Sequence, residues 1–248
     1  MALPFGLSPG VAIFLLAAIL GAAVVRGFSG FGFSALVVAV TGLVSDPRNA
    51  VAVVLFCEIV MTLQAARGIA GHVDWSRVGL LLLGAAVGVP LGIHGLVTIG
   101  VDGARVAISL FILVMCGVLL AGWQTGREIR GWPNAALGVV SGVANGAAMA
   151  GLPVAAVFSA QPIPPQVFRA TLIAYFAVLD IFSFPLLWQA GLVTRDTFVA
   201  LAFALPALLI GNHFGNYRFS RAAPQSFRRL AIGLLAVLAA LGLARAVL

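Results

Sequence analysis

Two short stretches of this chain hold residue types that could bind a small anion without a metal or a cofactor. The first is Arg26-Gly27-Phe28-Ser29-Gly30-Phe31-Gly32-Phe33-Ser34, and the second runs from Ser141-Gly142 through Asn145-Gly146 to Gly151-Leu152-Pro153. Each sets glycine and small polar residues inside an apolar run, and so reads as a broken helix. A break leaves main-chain N–H groups unpaired, and a half-helix N-terminus carries partial positive charge. Both features suit an anion. Gly30, Gly32, Gly142 and Gly146 allow close backbone approach, and Gly151 opens the segment after the second break. Ser29, Ser34, Ser141 and Asn145 add side-chain hydrogen bonds. For any single glycine the other reading is close helix packing through small residues. The matched pair of breaks favours a binding site between them.

Ionisable groups extend the constellation. Arg26 directly precedes the first break, where a guanidinium could pair with an oxyanion through two parallel bonds, or snorkel at a helix end. Arg169 is a weaker candidate. Glu58 and Asp180 each lie about ten residues into an apolar span and are candidates for proton coupling. Carboxyls at such depth are rare and usually face a cavity or a partner, so a structural hydrogen bond is the competing role. His94, His213 and Tyr175 read as packing or hydrogen-bonding groups. Cys57 and Cys116 stand far apart, and no metal-ligand spacing exists.

These residues need apolar elements to position them. The chain is 62% hydrophobic and 8% charged, with mean hydropathy +1.15. A soluble domain carries about a quarter charged residues, so the composition implies a polytopic helical membrane protein. The weak alternation of a membrane barrel is absent. Met1–Gly10 has no positive charge, so the apolar run from Val11 to Val25 reads as retained fold and not as a cleaved signal. The net charge of +7 comes from 14 arginines against 7 acids. Such a balance in a soluble protein suggests nucleic acid; here the arginines sit mostly in short loops and set topology.

Charges, prolines and tryptophans divide the chain. An interrupted unit spans 9–44, followed by spans at 49–66, 78–99 and 104–123. After a polar connector at 124–133 the pattern restarts, with an interrupted unit at 134–160 and spans at 166–189, 197–214 and 225–248. The expected organisation is a first membrane repeat over 1–123, a cytoplasmic connector over 124–133 and a second repeat over 134–248. Ser29-Gly30 matches Ser141-Gly142, Glu58 matches Asp180, and Gly92-Ile93-His94 matches Gly211-Asn212-His213. Placing loops 67–77, 124–133 and 217–229 inside puts eight arginines there and leaves Arg48, Arg105, Arg195 and Arg245 outside. Each interrupted unit must then begin and end on one side, as a re-entrant hairpin or a pair of short helices. The two halves come out inverted, an arrangement that carriers share.

At these residues the chain resembles the TauE/SafE sulfite exporters, also called the toluene-sulfonate uptake permeases. The likeness rests on Gly-Phe-Ser-Gly-Phe-Gly with its Asp-Pro-Arg-Asn-Ala turn. It rests also on the second-half Ser-Gly and Gly-Leu-Pro with a Pro-rich turn and Phe168-Arg169-Ala170-Thr171. It implies an all-α, multi-pass inner-membrane carrier of small sulfur oxyanions (sulfite, sulfoacetate, organosulfonates), more often an exporter than an uptake permease. The expected partners are a small anionic substrate and the bilayer, with no nucleic acid; a homodimer is compatible with the sequence. No cofactor is implied. The rival readings are a carrier for another solute class and an intramembrane enzyme. The latter would need a nucleophile with its base, or a metal cluster, at membrane depth.

Overall fold

A computed structural model describes residues 3–147, 151–219, 233 and 236–244 of the chain. The described residues include nine α-helices, two single 3-10 turns and a further helical stretch at 236–244, with no strand among them. The helices are α1 (Pro9–Ser29), α2 (Phe33–Val44), α3 (Arg48–Ile69), α4 (Trp75–Thr98), α5 (Val101–Leu120), α6 (Trp132–Asn145), α7 (Gly151–Ser159), α8 (Pro165–Gln189) and α9 (Arg195–Phe219). Six of them, α1, α3, α4, α5, α8 and α9, are long and apolar enough to cross a membrane. The span expected at 225–248 lies largely outside the described residues. Trp75, Trp123, Trp132 and Trp188 are exposed at or near helix ends, where interfacial tryptophans belong.

Both expected interruptions are present. α1 stops at Ser29, and Gly30 (φ 85°) and Gly32 (φ 93°) take left-handed conformations between α1 and α2. Side chains rarely tolerate these angles, so glycine at both positions is what lets the chain turn here. The second interruption follows Asn145, and α7 resumes at Gly151. At 1.5 Å per residue α2, α6 and α7 reach only about 14–21 Å, short of a hydrocarbon core of about 30 Å. α1 differs from the expectation of two short pieces, because its 21 residues are long enough to cross alone. The extra length lies toward its N-terminal end, since Arg26 near the other end already meets the middle of α3.

Two helix crossings dominate the packing, α4 against α6 and α1 against α9. Both are built from glycine. Gly84, Gly88 and Gly92 of α4 lie against the backbone of α6, and Gly138, Gly142 and Gly146 lie against the backbone of α4. Gly211 and Gly215 of α9 lie against Leu20, Val24 and Gly27 of α1. Apolar burial gives helices little reason to associate in lipid, so close backbone approach through small residues supplies dispersion contact instead. α3 and α8 pack on each other and are the most enclosed spans.

Turns on one face are tied together. Arg77 meets Asp74 at 3.2 Å and Glu128 of the connector at 2.8 Å, and its guanidinium lies over the Phe158 ring. The Ile129 amide donates to Gln161 Oε1, and the Asp74 amide to Thr171 Oγ1. The connector, the α3–α4 turn and the α7–α8 turn therefore share one face.

Substituting Gly84→Ala should lower thermal stability in detergent by roughly 1–3 kcal/mol, because the new methyl would fall on the Ala135 carbonyl. Gly79→Ala and Gly95→Ala on the same helix meet no atom within 4 Å and should leave the melting point nearly unchanged. Equal effects at all three positions would remove glycine packing as the basis of the α4–α6 contact.

Candidate functional site

The two breaks meet. A narrow cavity of about 10 Å³ lies between them, room for about one water. Gly32 and Ser34 reach it from the first break, and Asn145 and Gly151 from the second. α3 contributes Leu55 and Glu58, and α8 contributes Phe176 and Asp180. The first residues of both short helices, α2 and α7, thus stand at one spot with two carboxyls beside them.

Glu58 is held on two sides. Its Oε1 accepts from Ser34 Oγ at 2.7 Å, and its Oε2 faces Arg26 Nε at 3.4 Å. Arg26 Nη2 donates to Thr62 Oγ1 at 3.0 Å, and the arginine is only 1% exposed. A buried ion pair offsets its desolvation only when further hydrogen bonds complete it, and Ser34 and Thr62 supply them. Asp180 is different. It is 3% exposed, and its Oδ2 makes no hydrogen bond to a described residue. Burying a lone carboxyl costs free energy unless a partner or a proton arrives.

The other residues singled out in the sequence fall into two groups. Ser29 serves the break, with its hydroxyl on the Val25 and Phe31 carbonyls. Gly30 sits under the Arg169 side chain. Asn145 Nδ2 donates to Ser183 Oγ at 2.8 Å, which ties the cavity wall to α8. Ser141, Gly142 and Gly146 are not among the cavity residues. Ser141 pairs with Tyr175 at 2.9 Å, and the two glycines face α4. Ser141-Gly142 therefore precedes the second break by a helical turn, and Asn145-Gly146 is what occupies the place of Ser29-Gly30. Glu58 stands ten residues after Arg48, whereas Asp180 stands fifteen after Pro165, so the second carboxyl is deeper in its helix than the sequence match implies. Arg169 donates to the Gly27 carbonyl and to Asn216 Oδ1, where a cation complements the end of α1. His94 and His213 are exposed and lie away from the cavity. Sequence reasoning missed Thr62, Leu55, Phe176 and Ser183; only their spacing of three or four residues from Glu58 or Asp180 could have indicated them.

A family model described as "Sulfite exporter TauE/SafE" matches residues 14–242, nearly the whole chain. The chain belongs to the TauE/SafE family. No curated protein and no solved structure matches it. This family is one of membrane transporters of the sulfite-exporter type and not of enzymes. A TauE/SafE protein of this kind handles a small anionic substrate within the bilayer. The cavity is the one place among the described residues where both breaks, two carboxyls and an arginine come together.

Replacing Arg26 by Met should cost roughly 3–5 kcal/mol of stability, because Glu58 would be left buried without its counter-charge. The double variant Arg26→Met/Glu58→Met should recover a large part of that loss. Melting in detergent across this cycle tests the coupling, and strictly additive effects would show that the pair does not act as a unit.

Proposed function

We propose that this TauE/SafE protein is a secondary carrier that exports sulfite, with sulfoacetate and other small organosulfonates as further substrates. The observation that carries the reading is the cavity between the two breaks. Its walls offer a short-helix start from each side, the Ser34 hydroxyl, the Asn145 side chain and the buried Asp180 carboxyl, whose Oδ2 has no hydrogen-bond partner among the described residues. Helix starts and hydroxyls can replace water around an oxyanion. Arg26, close behind Glu58, supplies compensating positive charge. Asp180 then takes up and releases a proton as the anion comes and goes, so that the dry site need not hold two negative charges at once. The 10 Å³ cavity is smaller than such an anion, so substrate binding must widen it.

The two repeats, 1–123 and 134–248, lie inverted about this cavity on either side of a cytoplasmic connector in the inner membrane. Their helix pairings support that placement: α1 packs on α9 of the other half, and α6 on α4. The rigid units that rock are then the α1–α9 and α4–α6 pairs. The sequence halves cannot move as blocks without shearing both glycine crossings.

Counterflow in proteoliposomes tests the substrate class. Labelled sulfite should exchange with sulfite, and more weakly with sulfoacetate or thiosulfate, but not with a neutral solute of similar size. Equal exchange with the neutral solute would sink the anion reading. In the same assay Asp180→Asn should flatten the pH dependence of sulfite exchange, and Glu58→Gln should weaken exchange by about tenfold or more. Wild-type pH profiles in both variants would remove proton coupling.

A further inference from the structure

A second hollow, of about 190 Å³, lies beside the first break on the face of the molecule that holds the connector. Its walls come from the first break and from the α7–α8 turn. Phe31, Phe158 and Phe168 give it aromatic sides, while Ser159, Gln161 and Arg169 give it polar ones. Gln161 is also the residue that accepts from the connector's Ile129, which fixes the hollow's face. The turn beside it is open to the surroundings, with Pro162, Pro164 and Gln166 exposed.

Phe31 adjoins both this hollow and the carboxyl-lined cavity. It lines the hollow, and the next residue, Gly32, lines the cavity. A Cβ built on Gly151, another cavity residue, would lie 3.6 Å from Phe31 Cβ and 3.4 Å from Phe176 Cζ. The Phe31 ring stacks edge-on to Phe168 at 6.3 Å, and the residue is 5% exposed. It is carried on the three-residue link Gly30-Phe31-Gly32, whose two glycines hold left-handed angles. An aromatic side chain on so short and glycine-flanked a link can swing with little change elsewhere in the backbone.

We propose that the hollow is the access vestibule from the connector face and that Phe31 is the gate between it and the substrate cavity. The proposal rests on the carrier reading above and specifies its path. The vestibule takes a small anion with a short apolar body, such as an alkanesulfonate: Arg169 on its polar side lends positive charge at close range and the phenyl walls face the carbon. It is large enough for such a molecule before the gate opens, whereas the inner cavity is not. Substrate selection by size and apolar character therefore takes place at the vestibule, and selection by charge continues at the inner site.

Thiol accessibility tests the path without needing the transported substrate. In a background with Cys57 and Cys116 replaced by Ala, single cysteines are placed in the vestibule (Ser159→Cys) and in the cavity (Leu55→Cys). Oriented membrane vesicles are treated with the impermeant anion 2-sulfonatoethyl methanethiosulfonate. Ser159→Cys should react from the connector face alone, and Leu55→Cys should react slowly. Adding Phe31→Ala should speed Leu55→Cys on the order of tenfold or more, as removal of a gating side chain does, while leaving Ser159→Cys unchanged. Phe31→Leu should give an intermediate rate, and it stands in for the alanine variant should that one elute as aggregate. A Leu55→Cys rate indifferent to both Phe31 variants, or a Ser159→Cys shielded from the connector face, would overturn the proposal. The expected labelling pattern in a protein that exchanges no sulfite would uphold the path and defeat the sulfite reading alone.

Discussion

Breaking a helix inside hydrocarbon is tolerated only where protein covers the loosened backbone, and that constraint orders the rest of this molecule. Two breaks need two covers. The first is covered by α8, whose Arg169 reaches the Gly27 carbonyl at the end of α1. The second lies along α4, where Gly92 makes room for Gly146. Each cover comes from the other half of the chain. Mutual coverage draws the breaks to one point between α3 and α8, the most enclosed helices. The carboxyls on those helices are then within reach of both.

The two sides of the cavity solve one problem with different chemistry. Between α1 and α3 the link is the ion pair Arg26–Glu58, completed by Ser34 and Thr62. Between α6 and α8 the links are neutral hydrogen bonds, Asn145 to Ser183 at the cavity wall and Tyr175 to Ser141 a turn away. The neutral links avoid the desolvation of two charges, and the ionic one holds a positive charge at membrane depth. On the proposed carrier reading, an anion passing through the cavity would meet that charge on one side only. Asp180, whose Oδ2 has no hydrogen-bond partner among the described residues, stands across from it.

Much of this was legible in the sequence because lipid restricts the options. Spans, tryptophan positions and both breaks follow from apolar run length and from glycine, and the helix boundaries mostly agree within a few residues. The roles of individual glycines were not legible. Gly142 and Gly146 have the same local sequence character as Gly30 and Gly32, yet they touch α4 and not the cavity, because which face of α6 meets which neighbour is a tertiary matter. The match of Ser29-Gly30 to Ser141-Gly142 misled for the same reason: short motifs of small residues recur on both packing and functional faces. Phe31 and Phe168 lie in motifs that mark the family, but nothing in an apolar chain with 17 phenylalanines indicates that the two meet, and only their edge-on contact beside the hollow shows it.

The glycine crossings also decide which parts can move. A contact made backbone to backbone, as between Gly88 and the Val139 carbonyl, leaves no side chain to rearrange and so resists sliding. The α4–α6 and α1–α9 pairs are such contacts, and each joins one half of the sequence to the other. The α3–α8 interface is made of side chains, with Phe56 and Phe184 in edge-on contact at 5.0 Å. Side chains can repack in rotamer steps where backbones cannot. Motion that opens the cavity is therefore cheapest across α3 and α8, with each glycine-bonded pair carried as a body. Because α2 follows α1 and α7 follows α6, that motion would pull the two short-helix starts apart at the point where an anion would bind.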